Sequence, residues 1–408
     1  MERIVLLFPG QSMQYVGMGK GLYERFSIVR DTYELADEIL GYKLSEMCFS
    51  GPWYKLNQLD ICFCAIVTTC VAIYRMYAEQ SKMPPILAAG HSLGEYAALI
   101  CSGAISFEDG LKLVHQRAEL VLQEKGLAET GMAIIDNVYY KVVIEECRKL
   151  KENGVHLEVS CLNSNTQTVL SGGTDAISTV CKAFEAIGMV TPFLTNPPFH
   201  SSFMDGLCKP FTEILNRYHF SELDFPVLSN ATSRPYQSAD DIIENLVKQL
   251  SCTVDWKACI QWVEDTKPDA IIEVSPKKAF NIKISDGEKE IPKYCLGVAE
   301  DFNTIKEATA FLTGSSTIAP TTKICDEEWM SLCLKTAVCT QNRNFNNEEY
   351  ETGVVKRYEN LLKIEKDKVK FTISDREYMR ELILGILNTK KVPEEEKKKY
   401  MYDLDKGL

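Results

Sequence analysis

The chain has 408 residues, 45% of them apolar and 25% charged, an ordinary globular composition and enough length for two or three domains with cores of their own. Its net charge of −12 argues against non-specific binding to nucleic acid or to an anionic membrane. Its fifteen cysteines are scattered, many in apolar runs (Cys62, Cys64, Cys70, Cys101, Cys147, Cys181); with no C-x-x-C pair, and no matching pair for Cys62-x-Cys64, they read as reduced, buried thiols and not as a disulfide framework or a zinc site.

Residues 3–8, RIVLLF, form a continuous apolar run that ends at Pro9-Gly10, the pattern of a buried parallel strand entering a loop. The run is too short for a signal peptide, and no apolar stretch approaches the ~20 residues of a membrane span, so a cytoplasmic location is expected. Helical patterns follow at about 21–40 and 61–79, then a second buried strand at 85–90 (PILAAG) and helices near 93–102 and 107–123. This alternation predicts an α/β core with a parallel sheet. Residues 129–196 change character: a strand ending at 132–136, a helix at 138–152, strands near 156–162 and 167–172, a helix at 174–187 and a strand at 189–195. The order βαββαβ is the ferredoxin-like pattern, here as an insert in a larger domain made of 1–128 and 197–312. Residues 313–408 read as a linker (GSSTIAPTT, 314–322) and a mostly helical extension, with helices expected at 326–341, 347–365 and 374–390. Their apolar stripe is expected to pack back onto the preceding domain. The densely charged end reads as a solvated helix or a frayed tail.

One stretch carries chemistry. Gly90-His91-Ser92-Leu93-Gly94 stands between the strand at 85–90 and an amphipathic helix. A sharp strand-to-helix turn of this kind exposes the central hydroxyl, with glycines where neighbouring backbones come close and a helix N-terminus beside the developing charge. An incidental serine in a glycine-rich turn is the other reading. A nucleophilic serine needs a base, and the chain has five histidines: His91, His115, His156, His200 and His219. His91 lies inside the turn and is expected to point away from the hydroxyl. His115 and His219 fall in helical patterns, and His156 begins a strand of the insert. His200 follows the rigid Pro197-Pro198 pair and is the candidate base, a capping or core histidine being the alternative.

FPGQ (8–11), GHSLGEYAAL (90–99), HQRAEL (115–120) and FHSSFM (199–204) occur in the order and at the spacing of malonyl-CoA:acyl carrier protein transacylases, which residues 1–300 resemble. ADEILGYKLSEMC (36–48), LNQLD (56–60) and, more weakly, residues 339–361 are most similar to the discrete, trans-acting acyltransferases of polyketide synthases. The resemblance implies an α/β-hydrolase-like core with the inserted ferredoxin-like subdomain, and a Ser–His dyad in place of a triad. Residue by residue, it makes Ser92 the acylated nucleophile and His200 the general base. Gln249 is then the residue whose backbone carbonyl orients the imidazole. Gln11 and Leu93 become oxyanion donors through their backbone N–H groups, and Arg117 the guanidinium that grips the free carboxylate of malonate. Asn163, Phe199 and His91 are supporting residues, Asn163 as a weaker candidate facing the site.

The implied substrates are malonyl-CoA and the phosphopantetheine thiol of acyl carrier protein domains of a polyketide synthase, with no cofactor or metal in the enzyme itself, no nucleic-acid or membrane partner, and a monomer allowed. Leu93 and a bulky Phe199 look like malonyl-type choices that would disfavour an α-methyl group by ~1–3 kcal/mol. Ser12-Met13 stands where the family usually has Gly-Ser. Phe63 replaces a pocket glutamine, Ser275-Pro276-Lys277 a Gly-Pro-Gly turn, and Thr253 a proline. An acyl-carrier-protein hydrolase of the same fold, a transacylase of fatty-acid synthesis and a non-catalytic docking scaffold are the competing readings; Arg117 favours transfer over hydrolysis, and the extension beyond 314 argues against the second.

Overall fold

The computed structural model describes residues 3–81, 84–184, 187–193, 196–280, 285–286, 289–297, 326–340, 343–344, 346–367 and 371–405. The chain divides into two compact units, Met1–Ser316 and Thr317–Leu408. The linker expected at 314–322 lies outside the described residues.

In the first unit, β1 (Ile4–Phe8) is followed by helices α1 (Lys20–Arg25), α2 (Ser27–Leu40), α3 (Leu44–Ser50), α4 (Trp53–Leu56) and α5 (Leu59–Ser81). The helical pattern expected over 21–40 is broken at Phe26, whose extended backbone (φ −120°, ψ 121°) separates α1 from α2. β2 (Leu87–Gly90) then leads through one tight turn into α6 (Leu93–Cys101), followed by α7 (Phe107–Gln123). The next segment runs β3 (Thr130–Asp136), α8 (Tyr140–Glu152), β4 (Leu157–Leu162), β5 (Gln167–Gly173), α9 (Thr174–Phe184) and β6 (Met189–Phe193). After it come α10 (Asp205–Leu215), β7 (Val227–Ser229), β8 (Arg234–Pro235), α11 (Asp240–Ser251), α12 (Trp256–Asp265), β9 (Ala270–Glu273), a short hairpin of β10 (Ser285–Asp286) and β11 (Lys289–Glu290), and β12 (Lys293–Cys295).

The main sheet has the order β12-β9-β1-β2-β7-β8, parallel except for the last pair. β1 lies inside it, with Val5 opposite Leu87 on one side and Ile271 on the other. Helices cover both faces, which is why β1 is apolar throughout and does not alternate. Ile4, Leu6 and Phe8 face the larger core, with residues of α5, α6 and α7. Val5 and Leu7 face the smaller one, with Trp256 and Val263 of α12. α5 is long and apolar enough to cross a membrane, but most of it is buried inside the protein. The apolar run missing from the sequence reading is therefore the central helix of the main core.

β3 to β6 form an antiparallel sheet of order β4-β5-β3-β6, backed by α8 and α9 over Ile135, Val143, Leu170, Val180 and Phe184. It is laced to the main body by backbone bonds from Leu162 N–H to Val254 O (2.9 Å) and from Val254 N–H to Ser160 O (2.9 Å). Thr253, where a proline was expected from the resemblance, adds a hydroxyl bond to Val159 O at 2.7 Å.

In the second unit, helices Asp326–Cys339, Lys356–Asp367, Ile373–Thr389 and Glu394–Asp405 close on a core that includes Trp329, Cys333, Leu361, Met379, Ile383, Ile386 and Leu404. Trp329, Met330, Cys333, Ala337, Val354 and Leu361 of the stretch 326–365 are part of this core. A π-helical stretch, Glu351–Val355, interrupts the helix expected at 347–365. The charged end is a helix that buries Met401 and Leu404, so it is anchored at these two residues. Among the cysteines whose side chains are described none forms a disulfide and most are buried, and among the described residues no cluster of side chains is suited to a metal ion.

Candidate active site

Ser92 occupies the turn between β2 and α6 with φ 53° and ψ −110°, a left-handed conformation that costs a non-glycine residue free energy. The geometry survives because its neighbours leave no alternative. A Cβ on Gly90 would lie 2.1 Å from the carbonyl carbon of Gly94, and one on Gly94 would lie 2.2 Å from the carbonyl oxygen of Phe8. Ser92 N–H donates to Asn230 Oδ1 at 2.7 Å, and Asn230 Nδ2 donates to Gly90 O at 2.7 Å. An asparagine 138 residues away therefore pins the turn from both sides.

The Ser92 hydroxyl lies 2.6 Å from His200 Nε2, and His200 Nδ1 lies 2.6 Å from Gln249 O. A carbonyl only accepts, so Nδ1 carries the hydrogen and Nε2 is left to accept from the serine. His200 is 2% exposed and, like Ser92, has a positive φ (62°); its N–H donates to Leu250 O at 2.9 Å. Burial above all, with the nearby positive charge of Arg117, lowers the His200 pKa from 6.5 to about 3. The imidazole is neutral at neutral pH, as a base must be before it takes a proton.

His91 turns away. Its Nε2 meets Asn163 Oδ1 at 2.8 Å and its ring packs edge-on against Trp256 at 5.2 Å. Asn163 Nδ2 donates to Gln167 Oε1, and Gln167 Nε2 to Asp136 Oδ1. Asn163 thus holds His91, and its side-chain hydrogen bonds go to His91 and Gln167 and not to Ser92 or His200. Burial lowers the His91 pKa. His115 stands on α7 against Glu119 (3.6 Å). His156 is exposed just before β4, and His219 is exposed in irregular chain beyond α10, so the helix expected around His219 is absent.

α7 is capped by Ser106, whose hydroxyl accepts from Asp109 N–H at 3.0 Å. Its inner face, Gly110, Leu111, Val114, Arg117, Ala118 and Val121, follows the helical period. That period places Arg117 inside the core at 1% exposure. None of its three guanidinium nitrogens has a hydrogen-bond partner, and the Tyr96 hydroxyl beside it has none either. The guanidinium carbon faces the rings of Phe199 at 4.7 Å, Tyr96 at 5.2 Å and Phe63 at 5.3 Å. Burial lowers the Arg117 pKa, but an arginine keeps its charge. The result is a cation in an aromatic box, stabilised by the ring faces, with no carboxylate at ion-pair distance among the described residues and Glu95 the nearby negative charge.

Gln11, Ser92, Asn163, Phe199 and His200 line one cleft of about 1260 Å³ between the two sheets. Leu93 is the first residue of α6, so its N–H is among those a helix leaves without an internal acceptor. Ser12, next to Gln11, has φ 78°, a conformation in which glycine is unstrained. Three residues of the site were not singled out in the sequence. Tyr96 and Glu95 lie in the quoted GHSLGEYAAL stretch, one turn beyond Ser92, where helical spacing alone would have drawn attention to them. Asn230 had no such signal.

Residues 5–313 match the family model described as an acyl transferase domain. The chain is 31% identical over 310 residues to a malonyl CoA-acyl carrier protein transacylase of Bacillus subtilis, covering 76% of this chain and 77% of the relative. It is 34% identical over 278 residues to a polyketide biosynthesis malonyl CoA-acyl carrier protein transacylase of Bacillus velezensis, covering 67% and 92%. A solved complex of a type II polyketide acyl-carrier protein with its malonyl-transacylase superposes with a TM-score of 0.69 at 28% identity, over 75% of this chain and 99% of the other.

Proposed function

The chain belongs to the acyl transferase family, and on that premise we propose that it carries a malonyl group from coenzyme A to the phosphopantetheine thiol of an acyl carrier protein, through an ester on Ser92, in polyketide assembly. The observation that carries the substrate is Arg117: a buried guanidinium without a partner, 4.7–5.3 Å from three ring faces, is a site made for a carboxylate. The relatives named for malonyl transfer and for polyketide biosynthesis support the reading.

His200 Nε2 takes the Ser92 proton as Oγ attacks the thioester carbon. The tetrahedral oxyanion forms against the Leu93 and Gln11 N–H groups, each such donor being worth about 10²–10³ in rate. Collapse breaks the C–S bond, and the departing thiol of coenzyme A receives the proton from His200. The carrier thiol then gives its proton to His200 and attacks the ester, and Ser92 recovers its own. Both halves balance with these side chains and call for no cofactor. The malonyl carboxylate has a second effect. It neutralises Arg117, one of the charges that oppose protonation of His200, so the correct acyl group makes the imidazolium easier to form. An acetyl group leaves the guanidinium unpaired.

The test is acyl transfer to a carrier domain from malonyl-, methylmalonyl- and acetyl-CoA by the wild type, Ser92→Ala and Arg117→Ala. Ser92→Ala should abolish transfer and the covalent acyl adduct seen by intact mass. Arg117→Ala should lower kcat/KM for malonyl-CoA by about 10²-fold or more and remove the preference over acetyl-CoA. Release of free acid from an acetylated carrier, with no malonyl transfer, would reject the reading.

A further inference from the structure

Glu95 is fully buried, with 0% exposure. It takes part in no ion pair among the described residues. A carboxylate in that position must be held by hydrogen-bond donors. Here they come from separate segments of the fold. Tyr236 O–H donates to Oε1 at 2.5 Å, Asn230 N–H lies 3.2 Å from both oxygens, and Gln249 Nε2 donates to Oε2 at 2.9 Å.

Two of these partners touch the dyad. Gln249 spends its second amide hydrogen on Ser92 O at 2.9 Å, while its backbone carbonyl accepts from His200 Nδ1. Its Oε1 is buried without a partner. The amide is therefore oriented by two acceptors, Glu95 and Ser92 O; a flip would turn an oxygen toward both. Asn230, whose N–H is on Glu95, receives Ser92 N–H and donates to Gly90 O. It thus supports the positive φ of Ser92.

We propose that Glu95 is a positioning residue for acyl transfer: its buried carboxylate fixes Gln249 and Asn230, and through them sets the His200 imidazole and the Ser92 turn in attack geometry. Glu95 reaches no reacting atom itself. The inference rests on the acyl-transfer reading for its chemistry, but not on malonate as the acyl group. Glu95→Gln tests it because the shape is kept and the bonding is not. A glutamine presents a donor where the carboxylate offered its second acceptor, facing groups that all donate, apart from the Tyr236 and Ser229 hydroxyls, which can turn to accept.

The experiment compares full-length wild type and Glu95→Gln by thermal melt, by kcat and KM for malonyl-CoA, and by the rate at which a fluorophosphonate labels Ser92. Labelling needs the serine, its base and the oxyanion donors, but no carboxylate pocket. A folded Glu95→Gln should lose about 10–100-fold in labelling rate and in kcat, with KM within about threefold. Unchanged labelling and kcat in the folded variant would overturn the proposal. Should Glu95→Gln fail to fold, Gln249→Leu keeps the carbonyl that holds His200 and removes the amide; the same loss is expected, and wild-type labelling would again overturn it. Wild type that labels normally but transfers no malonyl group would count against the substrate alone.

Discussion

The fold keeps the His200 imidazole uncharged, and this has a thermodynamic signature separate from the proposed chemistry. In the native state the His200 pKa is lowered from 6.5 to about 3, chiefly by burial. Between those values the unfolded chain binds a proton that the native chain does not, so His200 costs the wild type stability as pH falls below 6.5. A His200→Ala variant lacks that penalty. Measured by urea unfolding, its stability relative to wild type should improve by about 2–3 kcal/mol between pH 6.5 and pH 4.5. Glu95, raised by burial from 4.5 to about 7, acts with the opposite sign: it takes up a proton on folding between those values and favours the native state as pH falls from 7. It is present in both proteins and drops out of the difference. A flat difference across that range would mean that His200 is solvated in the native state. At this scale the sequence was legible where a side chain sits in or beside a backbone turn, as with Ser92 and His200, whereas Arg117 was singled out only through the family resemblance, its residues alone reading as an exposed helix arginine. It was silent on Asn230 because a partner found across 138 residues leaves no local pattern.

At the scale of elements, the turn from β2 to α6 depends on two missing side chains. The atoms that a Cβ would meet at Gly90 and Gly94 are backbone atoms of the same turn and of β1 and the loop after it, which cannot move aside as a flexible side chain would. Gly94→Ala should therefore destabilise the protein by about 3 kcal/mol or more, read as a lower urea midpoint or as loss of soluble protein. A stable, active Gly94→Ala would show that the turn tolerates a wider approach to Phe8. The same turn explains which elements could be read in advance. β1 and β2 are buried on both faces and show as unbroken apolar runs, whereas the βαββαβ segment was legible from the order of its elements and not from strict alternation, since β5 is buried along most of its length and Cys161 and Val169 pack into the core around Trp256. α5 was the exception in its own way. Its helical pattern was evident, but a helix apolar on every side shows no stripe, and its place at the middle of the core is visible only in three dimensions.

For the whole molecule, the family match ends at residue 313, close to the division between the two units after Ser316. The match therefore ends where the second unit, with a core of its own, begins. That core contains a fully buried Trp329 whose indole N–H donates to Leu404 O at 3.1 Å across 75 residues. Lys390, 3% exposed, donates from Nζ to the Ala337 and Thr340 carbonyls, where a helix leaves acceptors unmet. A segment that buries its own apolar faces and satisfies its own helix ends has the requirements of an autonomous domain. Residues 317–408 produced alone should thus be helical by circular dichroism and melt cooperatively. Residues 1–316 should keep the fluorophosphonate labelling rate of Ser92 within about twofold of the full chain, because every residue named in the dyad, its supports and the arginine box lies before residue 257. A truncated first unit that melts lower and labels more slowly would instead mean that the helices at 326–365 lend it stability, the role their apolar stripe first indicated.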